Sequence, residues 1–198
     1  MKAGDFFIFV SDFYKDKFGS KVYKLSIDAG CTCPNRDGIK ATGGCIFCSP
    51  SGAGDFAESA MFDIETQIER AKIRVASKFG ANKQKKYIAY FQNFSSTYGD
   101  EDLLFEKYSR AAVCTDVVGI AIATRPDCVG DSILKKIASL CDRTFVSIEL
   151  GFQTCNERTG KYIRRFYSNE DYVEMLYKVF MNRASDAGGK AHWLELLS

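Results

Sequence analysis

Val117-Val118-Gly119-Ile120-Ala121-Ile122-Ala123 is the longest uninterrupted apolar run in this chain of 198 residues. A short, continuous apolar run is typical of a β-strand that is buried on both faces. Three other segments have the composition or alternation of strands: Lys21–Asp28, Tyr87–Phe91 and Thr144–Leu150. The segments between the strands repeat apolar residues at helical spacing: Asp63–Phe79, Glu101–Cys114 and Ser132–Leu140. Strands that alternate with helices predict an α/β fold with a parallel sheet of about four strands.

The flanking segments predict further helices. Asp5–Phe18 places aromatic and aliphatic residues on one broad face, and the chain after Leu150 has helical patterns that break at Asp186–Gly189. In parallel sheets, binding groups collect at the carboxyl ends of the strands. The segments after the four strands are therefore the first candidates for a site.

The composition limits the classes of function. The chain has 8 Cys, 1 His and a net charge of +2, with 46% apolar and 26% charged residues. These values indicate one folded domain, with or without a small appendage. A charge near zero gives no support for broad electrostatic binding of nucleic acid. A single His192 argues against catalysis by a His-based dyad or triad.

The termini and apolar runs predict a cytoplasmic protein. Val117–Ala123 is too short to cross a membrane, and Asp5 and Asp12 interrupt the aromatic start of the chain, which makes it a poor signal peptide. In the cytoplasm, eight cysteines are expected as thiols or metal ligands rather than as disulfides.

The long segment Ala29–Asp55 is rich in Gly and Cys and has no regular period, and long loops in compact domains are usually functional. It holds Cys33, then Cys45 after eleven residues and Cys48 after two more, with Cys31 just upstream. Four thiolates would close a structural zinc site. Three thiolates on a cubic iron–sulfur cluster would leave one iron open. The spacing alone leaves both readings open, but a loop that follows the first strand favours the cluster.

The loop GCTCPNRDGIKATGGCIFCSPSGAGDF resembles a bacterial branch of the radical S-adenosylmethionine (SAM) superfamily, whose members carry a CPNRDG…GGCxFC loop. The resemblance continues through YIAYFQNFSSTYGD, GIAIATRPDCVGDSIL and IELGFQTCNERT, and covers roughly Lys21–Ser168. It implies a domain over residues 1–168 that is a partial (βα) barrel of the radical SAM type.

The resemblance also implies a chemistry. Cys33, Cys45 and Cys48 would ligate a [4Fe–4S] cluster, and SAM would bind its open iron and yield a 5′-deoxyadenosyl radical. Cys31 stands where the family pattern does not require Cys and is not counted as a ligand. The implied partners are a one-electron reductant such as flavodoxin or ferredoxin, and RNA, including tRNA, as a substrate.

Further candidates for cofactor contacts follow the other strands. Arg125 and Asp127 follow the apolar run, and they either line the site or only tie down a turn as an ion pair. Glu149 is a carboxylate in an apolar strand, which is costly unless the carboxylate is paired, and Gln153 follows it. The remaining candidates are Gln92 and Ser96 after the aromatic strand and Arg165, which matches the family's Arg within YIRRFY. In that run the family's Asn, Gly and His are replaced.

Residues 169–198 resemble a small helical module of unknown function with an Arg-x-x-Asp-x-x-Gly-x-x-x-Trp signature, here Arg183, Asp186, Gly189 and Trp193. This predicts a C-terminal helical hairpin, which could cover the edge of the sheet. Members of the radical SAM branch have about six βα units, whereas this chain has four strands. Two alternatives to an active enzyme therefore stand: a non-catalytic remnant that binds a cluster or zinc without SAM turnover, and an interaction protein that docks a partner on its C-terminal helices.

Overall fold

The computed structural model of this protein describes residues 8–52, 55–78 and 85–197. Its centre is a sheet of four strands in the order β1-β2-β3-β4, and every neighbouring pair is parallel. The strands are β1 (Val22–Ile27), β2 (Lys86–Phe91), β3 (Val117–Thr124) and β4 (Phe145–Leu150). The predicted α/β fold with a four-stranded parallel sheet is confirmed.

Seven α-helices surround or follow the sheet in the described chain. They are α1 (Val10–Phe18), α2 (Ile64–Val75), α3 (Glu101–Ala112), α4 (Asp131–Ala138), α5 (Glu157–Tyr162), α6 (Asn169–Met181) and α7 (Ala187–Leu197). Short polar residues begin several of them, because their side chains accept hydrogen bonds from backbone amides that have no partner inside the helix. Asp63 caps α2, Asp100 caps α3, and Ser168 forms a capping box with Asp171 at α6.

Successive side chains of a strand point to opposite faces of the sheet, and helices cover both faces. On one face, Phe91 and Ile122 pack with residues of α2, α3 and α4, and the Phe91 and Tyr108 rings lie 4.8 Å apart. On the opposite face, Ile88 and Ala121 pack against Tyr14 of α1. The strand β3 is thus buried from both sides, as its apolar run predicts.

The two outer strands differ from the inner ones in their environment. Each residue of β4 is half-buried, and within the described residues this strand pairs with β3 alone. In register, Ile27 lies beside Phe91, and Phe91 lies beside Ile122, so the carboxyl ends of β1, β2 and β3 meet at one edge of the sheet. The loop with the cysteines starts at this edge.

Two predicted helix boundaries need correction. The helix predicted from Asp5 begins at Val10, and residues 1–7 lie outside the described part of the chain. The break predicted at Asp186–Gly189 lies earlier, at residues 182–186, because the carboxylate of Asp186 accepts a hydrogen bond from the Gly189 amide (2.8 Å) and caps α7. The predicted helical hairpin therefore forms from α6 and α7, which residues 182–186 connect.

Within the described ranges, no helix has both the length and the apolar character that crossing a membrane requires.

Candidate functional site

A cavity of about 310 Å³ opens at the carboxyl ends of the strands. Its walls come from the cysteine loop, from the ends of β2, β3 and β4, and from the segment before α6. The lining residues are Cys33, Cys45, Phe47, Cys48, Tyr90, Gln92, Phe94, Ser95, Ala123, Thr124, Arg125, Glu149, Leu150, Gly151, Gln153, Arg165 and Tyr167. Three of the four loop cysteines and five of the seven predicted cofactor-binding residues are among them.

The loop brings Cys45 and Cys48 together in a tight turn. The Cys48 amide donates to the Cys45 carbonyl at 3.1 Å, which closes the turn. The Arg36 guanidinium donates to the carbonyls of Cys48 (3.0 Å) and Ser49 (2.6 Å) and fixes the far end of the turn. Gly44 enters the turn with φ +76°, a conformation that favours glycine, and the Arg36 guanidinium lies where a Cβ would be 2.7 Å away.

Cys45 is half-buried and contacts two other segments through its sulfur. The side-chain amide of Asn35 lies 3.3 Å from the sulfur, and the thiol lies 3.2 Å from the carbonyl oxygen of Arg164. Burial raises the pKa of the Cys45 thiol, and the hydrogen bond from Asn35 opposes that rise. The sulfur of Cys33 lies 3.9 Å from a terminal nitrogen of Arg125, so a cation faces the thiols from β3.

Cys31 has a different environment from the other three loop cysteines. It packs against the apolar core beneath the helices, and burial together with the charge of Asp28 raises its pKa to about 12. Its thiol also interacts with Lys107 and Tyr108 of α3. A neutral thiol packed on the core has the character of a small apolar side chain.

The described part of the chain holds no group of three or more His, Cys, Asp or Glu side chains arranged around a single metal ion. Cys33, Cys45 and Cys48 share the wall of one cavity without forming such a group.

Arg125 and Asp127 form the ion pair that ties down the turn after β3, and Arg125 also lines the cavity. The Arg125 guanidinium forms a two-pronged ion pair with the Asp127 carboxylate (2.9 and 2.8 Å), and Lys40 joins it at 2.5 Å. Burial alone would lower the pKa of Arg125, but the hydrogen bonds and charge of Asp127 outweigh it and raise that pKa. Burial alone would raise the pKa of Asp127, but hydrogen bonds from Arg125 and Lys40 lower it. Arg125 lines the cavity, whereas Asp127 supports it from behind.

The Glu149 carboxylate has a charged partner, which offsets the cost of placing a carboxylate in an apolar strand. It forms an ion pair with Lys24 of β1 across the face of the sheet on which α1 packs. Lys24 also lies over the Tyr90 ring, 4.2 Å from its centroid. Burial and then the charge of Glu149 raise the pKa of Tyr90. Glu149 and Tyr90 both line the cavity, so this polar group forms part of its floor.

The remaining predicted residues divide into two sets. Gln92, Gln153 and Arg165 line the cavity, and Gln153 adopts φ 70° after β4. Ser96 is fully buried, and its hydroxyl donates to the carbonyls of Phe91 (3.0 Å) and Asn93 (3.3 Å). Ser96 therefore stabilises the turn after β2, and its neighbour Ser95 is the serine that lines the cavity.

Tyr167 is a cavity residue that the sequence did not single out. Its ring lies between two guanidinium groups, Arg125 at 5.0 Å and Arg165 at 4.7 Å from the ring centroid. Its hydroxyl donates to the carbonyls of Gly151 and Phe152 at the end of β4. The only signal in the sequence was its place in YIRRFY, where the resembled family has His.

Comparisons with known proteins add relatives without an assigned function. A family model described as a domain of unknown function (DUF4214) matches residues 150–198, a span that includes the helical hairpin. The uncharacterized protein YtqA of Bacillus subtilis is 46% identical over 165 residues, which is 83% of this chain and 50% of that protein. Protein YhcC of Escherichia coli is 35% identical over 75% of this chain and 46% of its own length. The uncharacterized protein MJ0486 of Methanocaldococcus jannaschii is 29% identical over 83% of this chain and 49% of its own length.

The chain thus spans about half the length of the curated relatives that it matches. The similar regions cover most of this chain in each case.

Proposed function

We propose that this chain is a radical SAM-type iron–sulfur protein. Cys33, Cys45 and Cys48 would hold a [4Fe–4S] cluster, and SAM would bind in the adjoining cavity. When bound, the cluster and SAM would supply a 5′-deoxyadenosyl radical that takes a hydrogen atom from the substrate. The parallel sheet would then be part of a (βα) barrel, with its site at the carboxyl ends of the strands.

One observation carries the proposal most strongly: the separation of Cys31 from the other three cysteines of the loop. Three thiols line the cavity, whereas Cys31 packs on the core and has a raised pKa. A structural zinc site needs four protein ligands, and the fourth sulfur of this loop points elsewhere. Three thiolates beside an open cavity fit a cluster that leaves one iron free for a second ligand.

The residues around the thiols have roles that fit this chemistry. Three thiolates are negatively charged, and the Arg125 cation faces them while Asp127 fixes its orientation. On the cavity floor, the Glu149 carboxylate and the amide of Gln153 offer an acceptor and a donor to a zwitterionic, nucleoside-containing ligand. Phe47, Phe94 and Tyr167 provide apolar surface, which limits access of water to the cavity.

The partners belong to the same proposal. A one-electron reductant such as flavodoxin or ferredoxin would have to reach the cluster, and Ile46 and Phe47 beside Cys45 are 55% and 53% exposed. RNA, including tRNA, is the substrate class that the sequence resemblance implies. A cytoplasmic location fits free thiols, which persist in a reducing compartment.

The test is SAM cleavage by the reconstituted chain. The protein is purified without oxygen, loaded with iron and sulfide, reduced, and mixed with SAM, and 5′-deoxyadenosine is measured by chromatography. We expect turnover in the wild type and in Cys31→Ala, and at least a 100-fold loss in Cys45→Ala, because one cluster ligand is removed. Equal turnover in Cys45→Ala, or a loss in Cys31→Ala that matches it, would contradict the assignment.

The non-catalytic alternative keeps one specific observation in its favour. In the altered run YIRRFY, the polar atoms of Arg165 and Tyr167 are bonded to the protein itself. Arg165 donates to the carbonyls of Thr154 (2.6 Å) and Tyr167 (2.8 Å), which leaves fewer donors for a cofactor. A chain that binds iron and sulfide but releases no 5′-deoxyadenosine would favour this second function.

A further inference from the structure

Asn35 lies two residues after Cys33 and is fully buried. Its side-chain nitrogen lies close to three acceptors: the sulfur of Cys45 (3.3 Å) and the carbonyls of Arg164 (3.0 Å) and Arg165 (3.1 Å). Because two of these acceptors are carbonyl oxygens, the atom between them must be the nitrogen of the Asn35 amide and not its oxygen. Asn35 thus joins the cysteine loop to a segment about 130 residues later in the chain.

The segment that receives Asn35 has an unusual backbone. Arg164 and Phe166 adopt φ of 59° and 58°, a region that residues other than glycine seldom enter. The carbonyls of Ile163, Arg164 and Arg165 all accept hydrogen bonds from the cysteine loop. Among the described residues, the side-chain oxygen of Asn35 has no hydrogen-bond partner although it is buried. A buried polar atom left without a partner is costly, so the three contacts of the nitrogen must offset that cost.

The backbone holds Cys45 from both sides as well. The Gly44 amide donates to the carbonyl of Asn35 (2.9 Å), and the Ile46 amide donates to the carbonyl of Ile163 (3.2 Å). The sulfur of Cys45 itself lies 3.2 Å from the Arg164 carbonyl, to which a thiol can donate. A thiolate has lost that proton and cannot donate to the Arg164 carbonyl, whereas the Asn35 amide can still donate to the sulfur.

We propose that Asn35 is the positioning residue of Cys45 and donates a hydrogen bond to its thiolate when the cysteine acts as a ligand. This inference rests on the proposed function. Hydrogen bonds to cluster sulfurs are one of the factors that set reduction potentials, because they stabilise the more negative, reduced state. Removal of the Asn35 amide therefore shifts the potential to more negative values.

The experiment compares Asn35→Ala with Asn93→Ala in the full chain. Asn93 is also buried and also has a side-chain oxygen without a partner among the described residues, but its nitrogen donates to Asp28 (2.6 Å). Reduction potentials are measured by titration monitored with electron paramagnetic resonance. We expect a more negative potential in Asn35→Ala and the wild-type value in Asn93→Ala, with a comparable iron content in both.

A second measurement uses the metal-free chain and is independent of the cluster. Hydrogen exchange at the Ile46 amide reports whether the loop remains attached to the segment at Ile163. We expect faster exchange in Asn35→Ala than in Asn93→Ala. Should Asn35→Ala fail to fold, Asn35→Ser takes its place, because a shorter side chain with one donor weakens the same contacts.

The outcomes separate the two claims. A wild-type chain that takes up no iron and sulfide overturns the proposed function, and this inference falls with it. If the wild-type chain holds a cluster and the folded Asn35 variant keeps the wild-type potential, this inference alone is overturned, and unchanged exchange at Ile46 in that variant overturns it as well.

Discussion

Arg125 stabilises a turn through an ion pair and also lines the cavity. Its guanidinium is held by Asp127 on one side, while a remaining nitrogen faces the sulfur of Cys33. Only 8% of the residue is exposed, so the charge depends on its partner rather than on water. A buried cation that loses its partner is strongly destabilising.

We therefore predict that Asp127→Asn lowers the free energy of unfolding by about 3 kcal/mol, because Arg125 and Lys40 keep their charge while the carboxylate is lost. Urea denaturation followed by circular dichroism measures the change. The matched control is Asp131→Asn, which removes an exposed ion pair with Lys178 and should change stability by less than about 0.5 kcal/mol. Equal effects of the two substitutions would show that the Arg125–Asp127 pair is no more important than a surface pair.

At the residue scale, strand position and the family resemblance together predicted Cys33, Cys45, Cys48 and five of the seven cofactor candidates that line one cavity. The sequence did not predict Asn35 or Tyr167. Asn35 acts through contacts with residues about 130 positions away, which no local pattern records. Ser96 was chosen over Ser95 because a loop sequence does not reveal which of two adjacent serines turns inward.

The α6–α7 hairpin depends on polar contacts. Glu174 of α6 accepts hydrogen bonds from Ser185 (2.5 Å) and forms an ion pair with Lys190 of α7 (2.6 Å). The hydrogen bonds from Lys190 and Ser185 lower the pKa of Glu174 from 4.5 to about 2. Trp193, the only tryptophan of the chain, lies on α7 and can report on the pairing.

The lowered pKa predicts a defined dependence on pH. Because the carboxylate is favoured in the folded state, its contribution is present above about pH 4.5 and is lost as the pH falls toward about 2. We expect Trp193 fluorescence to change over this window in the wild type and to change less in Glu174→Gln. Identical curves would argue against a role of Glu174 in the hairpin.

At the scale of elements, apolar patterns predicted each strand end to within one residue. The signal is clearest for β3, because a strand that is buried on both faces is apolar along its whole length. Helix ends were less well predicted. The sequence suggested a break at Asp186–Gly189, and α7 begins inside that range, at Ala187, with Asp186 as its cap. A helix cap depends on one or two hydrogen bonds, yet it can stabilise the start of a helix by more than glycine residues destabilise it.

The whole molecule combines a covered sheet with an open end. Helices α2, α3 and α4 pack on one face, α1 packs on the other, and the cavity lies where the strands end. The topology followed from the sequence because strands and helices alternate. The set of residues that line the cavity could not be predicted in the same way, because it depends on how a loop, three strand ends and the segment before α6 meet.

The central claim is that three cysteines of this chain hold an iron–sulfur cluster, and the most direct test is the metal and sulfide content of protein purified without oxygen. We predict about four iron and four acid-labile sulfide ions per chain in the wild type, and a loss of both in Cys33→Ala, Cys45→Ala and Cys48→Ala. Cys31→Ala should keep them. Stoichiometric zinc without sulfide in the wild type would contradict the account.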